Sequence, residues 1–294
     1  MSTNRMRKSP EQLWLERTFL LRHRICAEIG ADLRSCAAIP VDVPGKSLFG
    51  DLAERAIGLS LCDEAPYQDL FRVLGGDRAA RLLRSAGYEA DESREDTGQT
   101  SWQRSDTTPS PLRLFLTAYR LAQANQLLNP QGGEQPDPRT IARLLGRHPQ
   151  ALPFRRGDAK FQWLGFRDLW ASYSASFQAA LRSYGNATAQ VALLGGRRCA
   201  DLLIGTTVLE VKSGRLDDDR YLAQLIDQMI SYTLLAHYDG HPATHVAAYA
   251  MRYQRLLRFE GESFLNRLAG RRINIDTASA EFAALISGGR REAT

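Results

Sequence analysis

Two carboxylates and a lysine lie close together in a segment that is otherwise mostly apolar. Asp201, Glu210 and Lys212 belong to the sequence DLLIGTTVLEVK, in which most other side chains are Leu, Ile, Val or Thr. Burying a charged group is costly unless the charge has a partner or a ligand. Carboxylate oxygens are ligands that Mg²⁺ prefers, and a bound divalent cation can activate water. The segment therefore predicts a site for a divalent cation and an attacking water molecule.

A hairpin would bring these charges onto one face. Strand-like alternation on both sides of Gly205-Thr206 predicts a two-residue type II′ turn, which favours glycine at its first position. In that register Asp201 lies directly opposite Glu210, and like charges in this position repel. Because side chains alternate along a strand, Lys212 is expected to project from the same face as both carboxylates.

Lysine is rare in this chain, which makes its use at position 212 informative. Only four of the 38 basic residues are lysines. A lysine supplies a compact ammonium whose pKa shifts readily on burial, whereas arginine stays charged. The alternative interpretation is a lysine that snorkels from the end of a strand.

Helices and strands are predicted to alternate around the hairpin. Helical spacing covers residues 166–184, and three short antiparallel strands follow near 189–194, 198–205 and 207–214. A long helix opens at residues 217–219 and ends near Tyr238, followed by a buried strand, a further short strand and a terminal helix. This order predicts an α/β fold with the acidic face in the middle of the sheet.

The first half of the chain is predicted to be mostly helical. Helical patterns cover residues 10–35, 47–61, about 67–86 and 111–128, whereas the polar stretch 89–110 is predicted to be a flexible, strand-poor loop. We therefore expect a mostly helical region over residues 1–160, including a core-associated helix near 47–61, and an α/β core over residues 161–294.

The charged segment resembles the signature of the PD-(D/E)XK nuclease superfamily. Asp201, eight intervening residues and then Glu210, Val211 and Lys212 stand in the order of that motif. The resemblance implies a restriction-endonuclease-like core, built from a helix, a three-strand meander, a second helix and a strand.

Two further motifs resemble the RecB-type branch of the superfamily. Gln228 and Tyr232 on the predicted long helix match QxxxY, and residues four apart share a helix face. Gly50 followed by Glu54 resembles the first motif of that branch. This second match requires the helical region between Glu54 and the strands to be an insertion, and the helix directly before the strands offers only Asp168 as an acid. A surface carboxylate is the alternative role for Glu54.

The resemblance implies roles for these residues. Asp201, Glu210, the carbonyl of Val211 and, with its motif, Glu54 would hold Mg²⁺, for which Mn²⁺ can substitute. Mg²⁺ keeps some positions for water and phosphate oxygens, as phosphodiester hydrolysis requires.

The other implied roles concern water and substrate. Lys212 would orient the nucleophilic water or offset charge on the transition state. Gln228 would position water or phosphate, and Tyr232 would pack beside it or contact DNA.

Composition fits such a function. The net charge of +5 and the pI near 9.1 permit a nucleic-acid partner, DNA by the resemblance. No segment has the length and apolarity of a membrane span, and the basic N-terminus lacks the apolar run of a signal peptide. We therefore expect a cytoplasmic nuclease without a membrane partner, acting in prokaryotic restriction, antiviral defence or repair, with a homo-oligomer or a defence-system protein as a further partner.

Two other functions remain open from the sequence. The same fold could bind nucleic acid, or act as a scaffold, without cutting it. Residues 137–156 also resemble the first helix and turn of a helix-turn-helix, although Pro149 and Pro153 interrupt the expected recognition helix. That segment would make the protein a DNA-binding regulator.

Overall fold

The α/β class predicted from the sequence is confirmed. The computed structural model describes residues 9–91, 101–128, 157–216 and 218–288. In chain order the α-helices are α1 (Pro10–Thr18), α2 (Arg22–Ser35), α3 (Lys46–Leu61), α4 (Gln68–Leu74), α5 (Gly76–Ser85), α6 (Pro111–Leu128), α7 (Gly157–Ser176), α8 (Gln178–Arg182), α9 (Asp219–Tyr238), α10 (Gly261–Ala269) and α11 (Ile275–Gly288). The strands are β1 (Tyr88–Asp91), β2 (Ser101–Arg104), β3 (Ala187–Leu193), β4 (Arg198–Ile204), β5 (Thr207–Lys212), β6 (His245–Ala250) and β7 (Arg255–Glu260).

Five of the strands form one mixed sheet in the order β3-β4-β5-β6-β7. The meander β3-β4-β5 is antiparallel, β6 runs parallel to β5, and β7 returns antiparallel to β6. The long helix α9 makes the crossover from β5 to β6, as a parallel pair of strands requires. The predicted sequence of helix, three strands, helix and strand is therefore the order observed.

The turn between β4 and β5 has the predicted register as far as Leu202, whereas the predicted pairing of Asp201 with Glu210 does not form. Leu202 pairs with Leu209 and Ile204 pairs with Thr207. Gly205 has a φ of +55°, and a Cβ at this position would lie 2.0 Å from the carbonyl oxygen of Tyr184. Both the left-handed backbone and the close approach require glycine here.

The sheet separates two hydrophobic cores. One face, here called the α3 face, packs Leu202, Leu209 and Tyr249 against the helices α3 to α7. The opposite face, the α9 face, packs Ala200 and Val208 against α1, α2 and α9 to α11. Helices from the first half of the chain thus cover both faces of the sheet.

Helix α3 lies directly against the strands that carry the predicted acids. It packs on β3, β4 and β5, although most of the helical region separates it from them in the sequence. The helix is amphipathic, with Phe49, Leu52 and Ile57 buried in the core of the α3 face. Burial of this apolar stripe fixes the helix on the sheet.

The prediction of a strand-poor loop at 89–110 was wrong for part of that segment. β1 and β2 pair antiparallel, in register from Tyr88 with Arg104 to Asp91 with Ser101. The Arg104 guanidinium lies 5.0 Å from the centre of the buried Tyr88 ring and donates to the carbonyl of Cys62. These tertiary contacts outweigh the low strand propensity of a polar segment.

The remaining predictions concern membrane spans, cysteines and the helix-turn-helix segment. None of the described helices combines the length and apolarity needed to span a membrane. All four cysteines are free thiols. The helix-turn-helix resemblance at 137–156 lies outside the described residues.

Candidate functional site

The pairing of β4 with β5 ends where the predicted acids begin. The last rung joins Leu202 to Leu209, whereas β5 continues to pair with β6 as far as Lys212. Beyond this rung the side chain of Asp201 replaces the strand backbone as a partner, since its Oδ2 accepts a 2.7 Å hydrogen bond from the N–H of Val211. We call this region the open end of the hairpin.

The backbone is distorted beside Asp201. On β3, Ala189 packs against the α3 face and Val191 against the α9 face, although residues two apart normally share one face. Between them Gln190 has a φ of +54°, which is uncommon for a residue other than glycine. The neighbouring β4 changes face at the corresponding position, between Ala200 and Leu202. Asp201 therefore lies at the position where the side chains of both strands switch from one face of the sheet to the other.

Glu210 and Lys212 form a buried ion pair at the open end. The Lys212 ammonium donates to Oε1 of Glu210, so the two side chains share a face as predicted. The Glu210 side chain is 4% exposed and that of Lys212 is 28% exposed. Among the described residues, no group hydrogen-bonds to Oε2 of Glu210, which is buried. One oxygen of this carboxylate is therefore not satisfied by the described part of the protein.

Glu54 joins the same charge cluster from α3. Its side chain is 17% exposed, so the alternative of a surface carboxylate is wrong. The charge of Glu54 acts on Asp201, and that of Glu210 acts on Glu54. Asp168, the other acid considered, is half exposed and pairs with Arg167 at 2.9 Å.

The pKa shifts at the open end record this crowding of acids. Burial, then the negative charges of Glu54 and Glu210, raise the pKa of Asp201 well above its ordinary value. Burial, with the charges of Asp51 and Glu210, raises the pKa of Glu54 to about 7, against the opposing effect of Arg55. Burial disfavours the ammonium of Lys212, yet Glu210 outweighs it and raises the pKa of Lys212. A cation bound among these acids would relieve their mutual repulsion.

Arg55, which holds Glu54, was not among the residues predicted from the sequence. Its buried guanidinium lies 3.1 Å from Oε1 of Glu54 and 4.5 Å above the ring centre of Tyr67. With its amide oxygen turned toward Arg55, Gln190 accepts hydrogen bonds of 2.6 and 3.1 Å from the same group. The only signal in the sequence is an arginine inside an apolar stretch of α3, which also fits a surface residue.

Helix α9 brings Gln228 and Tyr232 to the opposite side of the open end. Tyr232 is 5% exposed, and its hydroxyl donates to the carbonyl of Cys199 on β4 at 3.1 Å. Its burial makes packing its role and argues against contact with DNA. Gln228 lies one turn earlier, is half-buried, and lines a cavity together with Lys212.

The donor set suits a hard divalent cation. In the described residues, no three His, Cys, Asp or Glu side chains already surround a single point as a finished metal cage. Nevertheless, Glu210 keeps a buried oxygen without a hydrogen-bond partner among the described residues, and the charges of Asp201, Glu54 and Glu210 act on one another. All these donors are oxygens, which fits Mg²⁺ or Mn²⁺ rather than a thiolate-binding metal.

Comparisons with protein-family models, with curated proteins and with solved structures found no match to this chain. The functional assignment therefore rests on the site itself.

A cavity of about 990 Å³ opens beside the charge cluster. Lys212 and Gln228 form part of its wall, and the other walls come from the segment after α2, the start of α3, the segment after β5 and the first turns of α9. Four more basic residues line it: Arg34, Lys46, Arg215 and Arg252. This cavity is the route by which a solvent-borne substrate can reach Lys212.

Proposed function

We propose that this protein is a metal-dependent nuclease that hydrolyses phosphodiester bonds in DNA. The observation that carries the proposal is the convergence of Asp201, Glu210, Lys212 and Glu54 at the open end of the hairpin. The two strands of one hairpin and helix α3, which is distant from them in the sequence, supply one lysine and three carboxylates to this region. Burying such a cluster lowers the stability of the fold, which a purely structural role would not explain.

The topology supports the same proposal. The order of helix, antiparallel meander, crossover helix and parallel strand is the one that the resemblance to PD-(D/E)XK nucleases implies. On the crossover helix, Tyr232 interacts with Glu210 and Asp201, and Gln228 lines the cavity together with Lys212, which fits a RecB-type QxxxY motif.

The chain's own residues would share the chemistry as follows. Asp201, Glu210, Glu54 and the Val211 carbonyl would hold Mg²⁺ or Mn²⁺, which supplies a Lewis acid and lowers the pKa of a bound water molecule. Lys212 carries a positive charge and lines the cavity, so it can hold the attacking water or stabilise charge on the phosphate.

Two further residues would support this chemistry, one by direct contact and one through Glu54. Gln228 faces the cavity and can donate to a phosphate oxygen or to water. Arg55 does not line the cavity, and its contacts with Glu54 and Gln190 make it a positioning residue.

The basic cavity favours nucleic acid over smaller phosphate esters. Five cationic side chains surround it, and Asp42 is the acid among its lining residues. Such a surface attracts a polyanion and orients its backbone. A role in restriction, antiviral defence or repair, and assembly as a homo-oligomer or with a defence protein, remain proposals by analogy.

The purified protein should cut DNA only when Mg²⁺ or Mn²⁺ is present. Supercoiled, linear and single-stranded DNA would be incubated with either metal and with EDTA, and products resolved by electrophoresis. Loss of cutting in EDTA and in Asp201→Ala and Lys212→Ala would support the proposal. Cutting that persists in both variants, or no cutting of any substrate, would remove it.

A binding protein without catalysis is the second candidate. The observation that favours it is that Lys212 already occupies one oxygen of Glu210 and Val211 occupies one oxygen of Asp201. This candidate predicts metal-independent retention of DNA and no cleavage in the same assays.

A further inference from the structure

The cationic side chains around the cavity differ in how firmly they are held. Arg34, Lys46 and Arg215 are exposed, and Arg34 lies 3.4 Å from the exposed carboxylate of Asp219, a pair that solvent screens. Arg252 is instead half-buried in the cavity wall. A long side chain that is already held loses less conformational freedom when a ligand binds. Arg252 therefore has less freedom to lose on binding than the three exposed side chains.

Arg252 is fixed both through its side chain and through its backbone. Its Nε donates a 2.7 Å hydrogen bond to the carbonyl oxygen of Ser213, and its own carbonyl oxygen accepts a 2.7 Å bond from the N–H of Ile39. It lies in the 3₁₀ turn directly after β6. The next residue, Tyr253, is buried, and its hydroxyl accepts a 2.9 Å bond from the N–H of Leu216. The turn after β6 and the segment after β5 thus hold each other in place.

The bond to Ser213 places the guanidinium beside the proposed site. Ser213 directly follows Lys212, and both residues line the cavity together with Arg252. In the sheet, Lys212 pairs with Ala250, two residues before Arg252. The ends of the parallel strands β5 and β6 therefore bring one lysine and one arginine to the same wall.

These two cations are held by different groups. The ammonium of Lys212 donates to a carboxylate oxygen of Glu210, whereas Arg252 donates to a neutral carbonyl, which does not neutralise its charge. A guanidinium carries five N–H donors in a fixed fork, and the Nε–H that bonds Ser213 is one of them. This fork matches the oxygens of a phosphate group. Because each cation has its own anchor, the pair suits two phosphates better than one.

We propose that Arg252 binds a second, non-reacting phosphate of the substrate, next to the phosphate that Lys212 contacts. The inference rests on the proposed nuclease function and adds a substrate-binding residue to it. Two consecutive phosphates, rather than a single diester, are then the unit that the site recognises. Such a contact lowers KM for a polynucleotide and leaves the chemical step to the acids and Lys212.

Short thymidine ligands test this inference without cleavage. In EDTA, TpT, which has one phosphodiester, and TpTpT, which has two, would compete with a labelled oligonucleotide, and fluorescence anisotropy would follow the competition. We expect TpTpT to bind the unmodified protein about tenfold more tightly than TpT, and Arg252→Gln to reduce this gain to less than about twofold. If Arg252→Gln weakens both ligands but keeps the tenfold gain, the role of Arg252 is structural and the inference is overturned.

Two further variants separate charge, hydrogen bonding and folding. Arg255→Gln is the matched control, because Arg255 lies 3.8 Å from Asp32 and outside the described lining of the cavity, and it should keep the whole gain. Arg252→Lys keeps the charge without the fork, and should keep a gain of only about threefold. Circular dichroism verifies folding. If Arg252→Gln does not fold, Arg252→Lys decides, and a full tenfold gain in that variant would overturn the inference.

Kinetics with Mg²⁺ or Mn²⁺ separates this inference from the nuclease function. For an oligonucleotide substrate, Arg252→Gln should raise KM about tenfold and change kcat by less than about twofold. A fall in kcat with an unchanged KM would place Arg252 on the reacting phosphate and overturn the inference. If the gain depends on Arg252 but neither metal supports cleavage, the nuclease function fails and the phosphate site stands. Cleavage without an Arg252-dependent gain would give the opposite result.

Discussion

The two ends of the β4–β5 hairpin differ in how the strands pair and in which side chains they carry. At the turn, Gly205 and Thr206 join strands that pair in register through apolar side chains. At the open end the pairing stops, and Asp201 and Glu210 occupy positions where further rungs would form. One end satisfies its backbone, and the other leaves a buried oxygen of Glu210 without a hydrogen-bond partner among the described residues.

Of the two ends, the open end is the one that lowers the stability of the fold. A buried polar atom without a partner costs about 1–3 kcal/mol, and Oε2 of Glu210 is such an atom. The turn end has a tight glycine contact and paired backbone instead. Substitutions at the two ends should therefore separate activity from stability.

The largest expected effect is on catalysis at the open end. Asp201→Asn keeps an oxygen that can accept from the Val211 N–H but removes the charge. The cleavage rate should fall on the order of 10³-fold, as when a main electrostatic group is lost. Because a crowded buried charge is removed, the melting temperature without metal should stay the same or rise.

Asp168→Asn is the matched control for this change. It removes an exposed acid of α7 that pairs with Arg167, and its activity should equal that of the unchanged protein. Equal losses in the two variants, or an unaltered rate in Asp201→Asn, would contradict the assignment of the open end.

The reverse pattern is expected at the turn. Gly205→Val forces a branched side chain into a left-handed backbone and toward the Tyr184 carbonyl. The free energy of unfolding should fall by about 3 kcal/mol or more, whereas the cleavage rate per folded molecule should hardly change. Urea unfolding followed by circular dichroism measures the first quantity, and a rate assay below the transition measures the second.

Gly196→Ala separates backbone strain from steric clash. Gly196 has a φ of +84°, but a Cβ there would meet nothing within 4 Å. The free energy of unfolding of Gly196→Ala should fall by only about 1 kcal/mol. A loss as large as that of Gly205→Val would show that the Tyr184 contact is unimportant.

A substitution of Lys212 is expected to change both the cleavage rate and the stability of the fold. Lys212→Met should lower the cleavage rate about a hundredfold and also destabilise the fold, since Glu210 would be left as a buried charge without its partner. The double variant with Glu210→Gln should recover stability but not activity. Thermal unfolding and initial rates of Lys212→Met, the double variant and the unmodified protein check this, and joint recovery of both properties would refute a catalytic role for Lys212.

The smallest expected effect concerns Arg55. Arg55→Lys keeps the charge beside Glu54 but loses the fork of hydrogen bonds to Gln190. The Mg²⁺ concentration for half-maximal cleavage should rise by about tenfold, whereas the rate at saturating Mg²⁺ should change little. A lower saturated rate with an unchanged Mg²⁺ requirement would mean that Arg55 does not act through Glu54.

The sequence predicted what depends on neighbours in the chain. The Gly205-Thr206 turn, the pairing of Leu202 with Leu209 and the shared face of Glu210 and Lys212 follow from local alternation. These features need no knowledge of distant segments.

Features that depend on tertiary packing were harder to predict. Glu54 reaches the cluster because the apolar stripe of α3 docks on the sheet, and only its resemblance to a motif, not its distance along the chain, predicted that position. The buried position of Arg55 and the cavity lined by Arg34 and Lys46 have the same origin. Likewise, β1 and β2 form through contacts of Tyr88 with Arg104 rather than through strand propensity.

The central claim is that the open end binds a divalent cation through its carboxylates. Electron paramagnetic resonance of Mn²⁺ titrated into the unmodified protein, Asp201→Asn and Asp168→Asn tests it directly. We expect saturable Mn²⁺ binding in the unmodified protein and in Asp168→Asn, and its loss in Asp201→Asn. Equal binding by all three proteins would contradict it.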